Sequence, residues 1–136
     1  MEKRMNKEEL LELLGTLKIV REEFWVLSSG ALVLRGILED AGDLDIGVTD
    51  KGLSMLRDNY DVEIIKGNHW CIKDSRIEGF NDGSKSNLKF QPELLESGYY
   101  VQNILDYYNF LISSTREKDI KRIPIIESYI KTYKQK

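Results

Sequence analysis

The chain has 136 residues, 41% of them apolar and 32% charged, with a formal net charge of −3 at pH 7. That supports one ordinary core over residues 1–136, and 10 Gly, 2 Pro and a single cysteine exclude collagen-like, disordered and disulfide-scaffold classes. Lone Cys71 cannot form an internal disulfide, which fits a reducing cytoplasm; no apolar run approaches the roughly 20 residues of a membrane span, and the charged start MEKRMNKEELLELL carries no signal-peptide block.

Asn6-Lys7-Glu8-Glu9 reads as a capping box opening a helix. Leu10, Leu11, Leu13, Leu14 and Leu17 form its apolar stripe, with Gly15 as a stop. Phe24-Trp25-Val26-Leu27 reads as a buried strand. Ser28-Ser29-Gly30 is a turn, and Ala31 to Leu38 a short apolar helix interrupted by Arg35 and Gly36. From Asp43 to Thr49 the pattern alternates, with Asp43, Asp45 and Gly47 on one side and Leu44, Ile46 and Val48 on the other. Period two predicts a strand with one buried face. Asp50 is placed to cap a helix carrying Leu53, Met55 and Leu56. Three short strands follow at 60–65, 69–73 and 76–80, joined by tight turns at Lys66-Gly67-Asn68 and Asp74-Ser75. Asn81 to Gly98 reads as loop. Val101, Ile104, Leu105, Tyr108, Leu111 and Ile112 share one helical face. Ser114-Thr115-Arg116-Glu117 reads as a second capping box, and Pro124 either kinks the helix that follows or starts a new one. The order predicts an α+β fold, a small mixed sheet with helices packed on it.

Charge is unevenly spread. Residues 36–82 hold 11 acids and 5 bases, whereas residues 116–136 hold 3 acids and 7 bases. The acidic middle argues against a broad DNA- or RNA-binding surface. Asp43 and Asp45 lie on one strand face, so their carboxylates converge and repel unless a cation lies between them. Mg²⁺, a hard ion that shares oxygen ligands with substrate phosphates, suits such a pair, and Mn²⁺ can take its place. An exposed edge strand with two solvated acids is the plainer alternative. Upstream, the strand–Ser28-Ser29-Gly30–helix sequence offers open backbone N–H groups at a helix start, a cradle for phosphate. A third carboxylate can come from Asp61, Glu63 or Glu78. Arg116 and Lys118 stand at a helix start, where the helix dipole disfavours cations, which hints at a phosphate. His69 reads as a surface or packed histidine rather than a general base, Cys71 as a small core residue and the tyrosines at 99, 100, 107 and 108 as packing residues, and one His with one Cys argues against zinc.

The run Phe24-Trp25-Val26-Leu27-Ser28-Ser29-Gly30-Ala31-Leu32-Val33-Leu34-Arg35-Gly36, followed by Gly42-Asp43-Leu44-Asp45-Ile46, resembles the nucleotidyltransferase superfamily. The likeness is to its small single-domain bacterial members, including nucleotidyltransferase-like proteins of abortive-infection toxin systems, and spans roughly residues 20–130. The resemblance implies a polymerase-β-like fold, a nucleoside triphosphate, and Asp43 and Asp45 as catalytic metal ligands. It favours Glu78 as the third acid, because Ile72 to Glu78 matches the family's late hairpin. It implies that Ser28, Ser29 and Gly30 hold the triphosphate, and Arg116-Glu117-Lys118-Asp119 resembles a helix start common in these proteins, which would set Arg116 and Lys118 against its charge. Two departures stand out: Ser28 takes the place of a Gly, and no Lys lies between Val101 and Thr115, where Asn109 is the nearest polar residue. They motivate an alternative, a nucleotide- or partner-binding module that kept the fold and lost turnover. A third reading is a structural domain with surface acids. The acceptor, whether small molecule, protein or RNA, is not written in the sequence. The size leaves room for a second subunit of a homo-oligomer to supply part of its pocket.

Overall fold

The computed structural model describes residues 3–134. Two short strands, β1 (Met5–Asn6) and β3 (Asp40–Ala41), pair antiparallel as a separate ribbon. The main sheet is built from β2 (Phe24–Val26), β4 (Leu44–Thr49), β5 (Val62–Lys66), β6 (His69–Ile72), β7 (Ile77–Gly83), β8 (Glu93–Leu94) and β9 (Tyr100–Val101). Its order is β5-β6-β7-β4-β2-β9-β8. β4 runs antiparallel to β2 and parallel to β7, and the β5-β6-β7 meander is antiparallel throughout, so the sheet is mixed. Among the described residues five α-helices accompany it: α1 (Lys7–Thr16), α2 (Ser28–Leu34), α3 (Asp50–Asn59), α4 (Ile104–Ser113) and α5 (Glu117–Lys134). The fold class is α+β, and among the described residues no helix is long and apolar enough to cross a membrane.

The expected alternation in β4 holds. Leu44, Ile46 and Val48 are wholly buried and join Leu10 and Leu14 of α1, Leu53 and Leu56 of α3, and Trp70 in the main core. Each such side chain contributes about 1.5–3 kcal/mol by leaving water. A smaller cluster of Leu32, Ile104, Tyr107, Leu111 and Ile126 ties α2, α4 and α5 together. On the opposite face of β4, Gly47 lies under the Trp25 indole, and a Cβ there would collide with that ring. The missing side chain lets the indole lie flat across the strand. At α1 the predicted capping box forms: Glu9 N–H donates to Asn6 Oδ1 at 2.9 Å and Asn6 N–H to Glu9 Oε1 at 3.2 Å.

Several expectations are corrected. α1 passes through Gly15 and closes when Leu17 N–H donates to Leu14 O. Thr49, not Asp50, caps α3, its Oγ1 accepting the Gly52 N–H at 3.1 Å, so Asp50 is the first helical residue. α2 begins at Ser28 itself and stops at Leu34, after which the chain turns through Gly36. Residues 81–98 are not wholly loop, because pairing with β4 carries β7 on to Gly83 and β8 pairs with β9. Val101 belongs to β9, where it pairs with Val26, and this moves the buried face of α4 to Ile104, Tyr107 and Leu111 while Leu105 and Ile112 stay exposed. The second capping box is replaced by another arrangement: Ser114 Oγ accepts the Arg116 N–H and donates to the Asp119 carboxylate. α5 continues through Pro124. The proline, which has no N–H, leaves the Ile120 carbonyl without its helical donor.

Candidate active site

β4 carries Asp45 on the face opposite the core, and the parallel register with β7 sets Glu78 directly across from it. Asp43 precedes the strand and is exposed. One Asp45 oxygen, Oδ1, is buried with no hydrogen-bond partner. Burial, followed by the charges of Glu78 and Asp43, pushes the Asp45 carboxyl from 3.8 up to about 6, while His69 and Lys118 pull it the other way. The cause is physical: a carboxylate taken from water beside two others resists ionising. Both other predicted acids and the Lys118 ammonium therefore lie within electrostatic reach of Asp45.

Of the alternative third acids, Glu63 is exposed on β5, where it pairs with Cys71 of β6, which in turn pairs with Glu78. It shares the row but stands beyond β6 and β7 from Asp45. Asp61 precedes β5 and is exposed. His69 Nε2 stands 3.8 Å from Glu78 Oε1, and its ring stacks on Phe80 at 4.7 Å. Cys71, expected in the core, is half-buried on the row of Glu78. Tyr99 and Tyr107 are buried, as expected of packing residues.

Ser28 opens α2 with φ +50°, in the left-handed region that L-residues occupy at a cost. Its N–H donates to Gln102 Oε1 at 3.1 Å. The Ser29 and Gly30 N–H groups make no hydrogen bond among the described residues. Gly30 is buried, and a Cβ there would press on Val26 Cγ1 at 2.9 Å. Arg116 is largely committed: its Nε donates to Asp119 Oδ2 at 2.6 Å, and Asp119 is only 2% exposed. Hydrogen bonds from Ser114 and Arg116, with the charges of Arg116 and Lys118, hold the Asp119 carboxyl below the usual range although burial opposes them.

Among the described residues no group of three or more His, Cys, Asp or Glu side chains is already gathered to hold a metal ion. The donor set nevertheless suits a hard cation: oxygen ligands only, mutual repulsion, and one buried carboxylate oxygen without a donor. Residues that sequence reasoning missed lie beside this centre. A cleft of about 400 Å³ is lined by Trp25, Ser28, Phe80, Asp82, Gln102 and Phe110, among others. Glu78, Phe80 and Asp82 continue one alternating series, a signal that extending the late strand by two residues would have exposed. No family model, curated protein or solved structure matches this chain.

Proposed function

We propose that the protein transfers a nucleoside monophosphate from a nucleoside triphosphate to an acceptor hydroxyl, with Mg²⁺ held by Asp43, Asp45 and Glu78. The observation that carries this reading is the Asp45–Glu78 pair, set side by side with one Asp45 oxygen buried and unpartnered. Mg²⁺, or Mn²⁺, supplies charge that steadies the phosphate oxygens in such a reaction. The acceptor oxygen bonds to the α-phosphorus, the bond to the bridging oxygen breaks, and pyrophosphate leaves. In this reading the hydroxyl proton passes to one of these carboxylates. The N–H of half-buried Ser29 has no hydrogen-bond partner among the described residues and would meet a phosphate oxygen. Lys118 adds positive charge near Asp45.

A second reading, a module that binds nucleotide without turnover, draws on two observations. Gln102 already takes the Ser28 N–H, and Asp119 takes Arg116. One experiment addresses both. Thermal shift with each of the four NTPs, with and without Mg²⁺, should show Mg²⁺-dependent stabilisation, about 2.7 kcal/mol at a hundredfold excess over Kd. Asp43→Asn with Asp45→Asn should abolish it. Labelled-nucleotide transfer to pooled protein, RNA and small-molecule acceptors then separates enzyme from silent module. Unchanged nucleotide binding in the double variant would return the acids to a solvated surface.

A further inference from the structure

The cleft beside the acid pair has a chemistry of its own. Its floor is the open sheet face, with Trp25 from β2 and Phe80 from β7, and its wall is α4, with Asp106, Tyr107 and Phe110. Two of its rings are large and wet: Phe80 is 40% exposed and Phe110 is 45% exposed. Phe80 has one face on His69, and Phe110 lies nearly parallel to Tyr107 at 6.2 Å. Rings held by neighbours in this way are preformed stacking platforms, and flat heteroaromatic bases are what such platforms hold.

The polar edge of the cleft is selective. The register of β7 against β4 slips between Val48 and Thr49, so that Asn81 and Gly83 pair with β4 while Asp82 is the extra residue. A bulge of this kind re-aims a side chain, and here Asp82 lines the cleft. Asn81 Oδ1 fixes the bend by accepting the Gly83 N–H at 2.9 Å. The Asp82 carboxylate makes no side-chain hydrogen bond among the described residues, although burial and the nearby Asp106 both disfavour its charge. Asp106 by contrast already accepts from Gln102 Nε2 at 3.2 Å. The cleft therefore presents a carboxylate whose two oxygens are free of protein donors among the described residues and can accept from two adjacent donors of a ligand.

We propose that this cleft binds the guanine base of a nucleotide, its N1–H and 2-amino group donating to Asp82 while Phe80 and Phe110 stack on its rings. The inference rests on the nucleotide reading above and adds the identity of the base. Guanine alone among the four bases places two donor groups side by side. Adenine and cytosine pair one amino group with a ring-nitrogen lone pair, and uracil flanks its single N–H with two carbonyls, so each sets an acceptor against the carboxylate. The acids of the cleft also repel phosphate, which leaves the triphosphate to the Lys118 and Ser29–Gly30 side.

Calorimetric titration with GTP, ATP and inosine triphosphate, all with Mg²⁺, tests this. GTP should bind at least tenfold more tightly than ATP. Inosine triphosphate, which lacks only the 2-amino group, should fall most of the way to ATP, and this comparison needs no variant. Asp82→Asn, nearly isosteric, should weaken GTP and, because the amide offers one donor and one acceptor, strengthen ATP, so that the preference for GTP is lost. Equal affinities for GTP and ATP with Mg²⁺ dependence intact would overturn the guanine assignment and leave the transfer reading standing. GMP binding tenfold above AMP without metal, together with Mg²⁺-independent binding of every triphosphate, would keep the base site and overturn the transfer reading. Failure of all nucleotides to bind would overturn both.

Discussion

Replacing Asp45 with asparagine tests the electrostatics of the site without any ligand. In the folded protein the Asp45 carboxyl titrates near 6, against 3.8 as the ordinary value, a difference of about 2 units. At about 1.36 kcal/mol per unit the full shift corresponds to about 3 kcal/mol. Asp45 is only partly buried, so solvent screening reduces this to about 1–2 kcal/mol. The sign follows from proton linkage. Between pH 4 and pH 6 the folded state holds a proton that the unfolded state has released, so stability falls as pH rises through that window. An asparagine side chain carries no such proton and keeps nearly the same shape. Urea unfolding of the metal-free proteins at pH 4, 5, 6 and 8 should show the Asp45→Asn variant level with the wild type at pH 4. It should be about 1–2 kcal/mol more stable at pH 8, with the change centred between 4 and 6. A variant less stable at pH 8 would mean that the Asp45 carboxylate has a favourable partner, and a difference independent of pH would mean that folding does not disfavour its charge; either result would refute the reasoning.

Two further perturbations address the flanks of the site. Ser28→Gly removes the strain of a non-glycine residue at φ +50° and should raise stability by about 0.5–1 kcal/mol in urea unfolding, where a loss of that size would show that the serine side chain stabilises the turn. Arg116→Ala leaves the buried Asp119 carboxylate with only the Ser114 hydroxyl and should lower stability by about 1–3 kcal/mol at pH 7. The penalty should shrink as acid protonates Asp119, whereas a change under about 0.5 kcal/mol at pH 7 would free Arg116 for a role at the phosphates.

What was legible in the sequence was local. Leu44, Ile46 and Val48 alternate with Asp45 and Gly47 over a single strand, and every apolar member of that set is buried. The Asn6–Glu9 box spans one helical turn and needs nothing from the rest of the chain. What stayed open or was misjudged depended on pairing between distant segments. Glu63 and Glu78 look alike along the chain, and only the order β5-β6-β7-β4 brings Glu78 beside Asp45 and leaves Glu63 apart. Asn81-Asp82-Gly83 has turn chemistry, yet the neighbouring Val48 and Thr49 hold it in the sheet and make a bulge of it. Val101 fits a helical stripe, but Val26 captures it as a strand. Arg116 reads as a free cation until Asp119 is seen to be buried against it.

The costs carried by this fold gather at one corner of the sheet. Ser28 occupies a left-handed conformation, Asp45 and His69 each bury a polar atom without a hydrogen bond, and burial and Asp106 disfavour the charge of Asp82 in its bulge. Arg35 and Ser97, which line a separate pocket with Glu96 and Tyr129, and Trp70 also bury atoms without a hydrogen-bond partner, away from these acids. An ordinary stability-driven core would relieve such costs with simple substitutions, Asp45→Asn or Ser28→Gly. Local penalties that cluster on one face while the opposite face packs Leu44, Ile46 and Val48 without exposure mark a surface shaped for something other than folding. Each penalty at this corner is of a kind that a bound group can relieve: a cation for Asp45, two adjacent donors for Asp82, and a phosphate oxygen for the Ser29 N–H behind Ser28. A phosphorylated, metal-chelating ligand with a donor-edged ring meets all three at once, which is why the nucleotide reading is preferred over separate explanations for each residue.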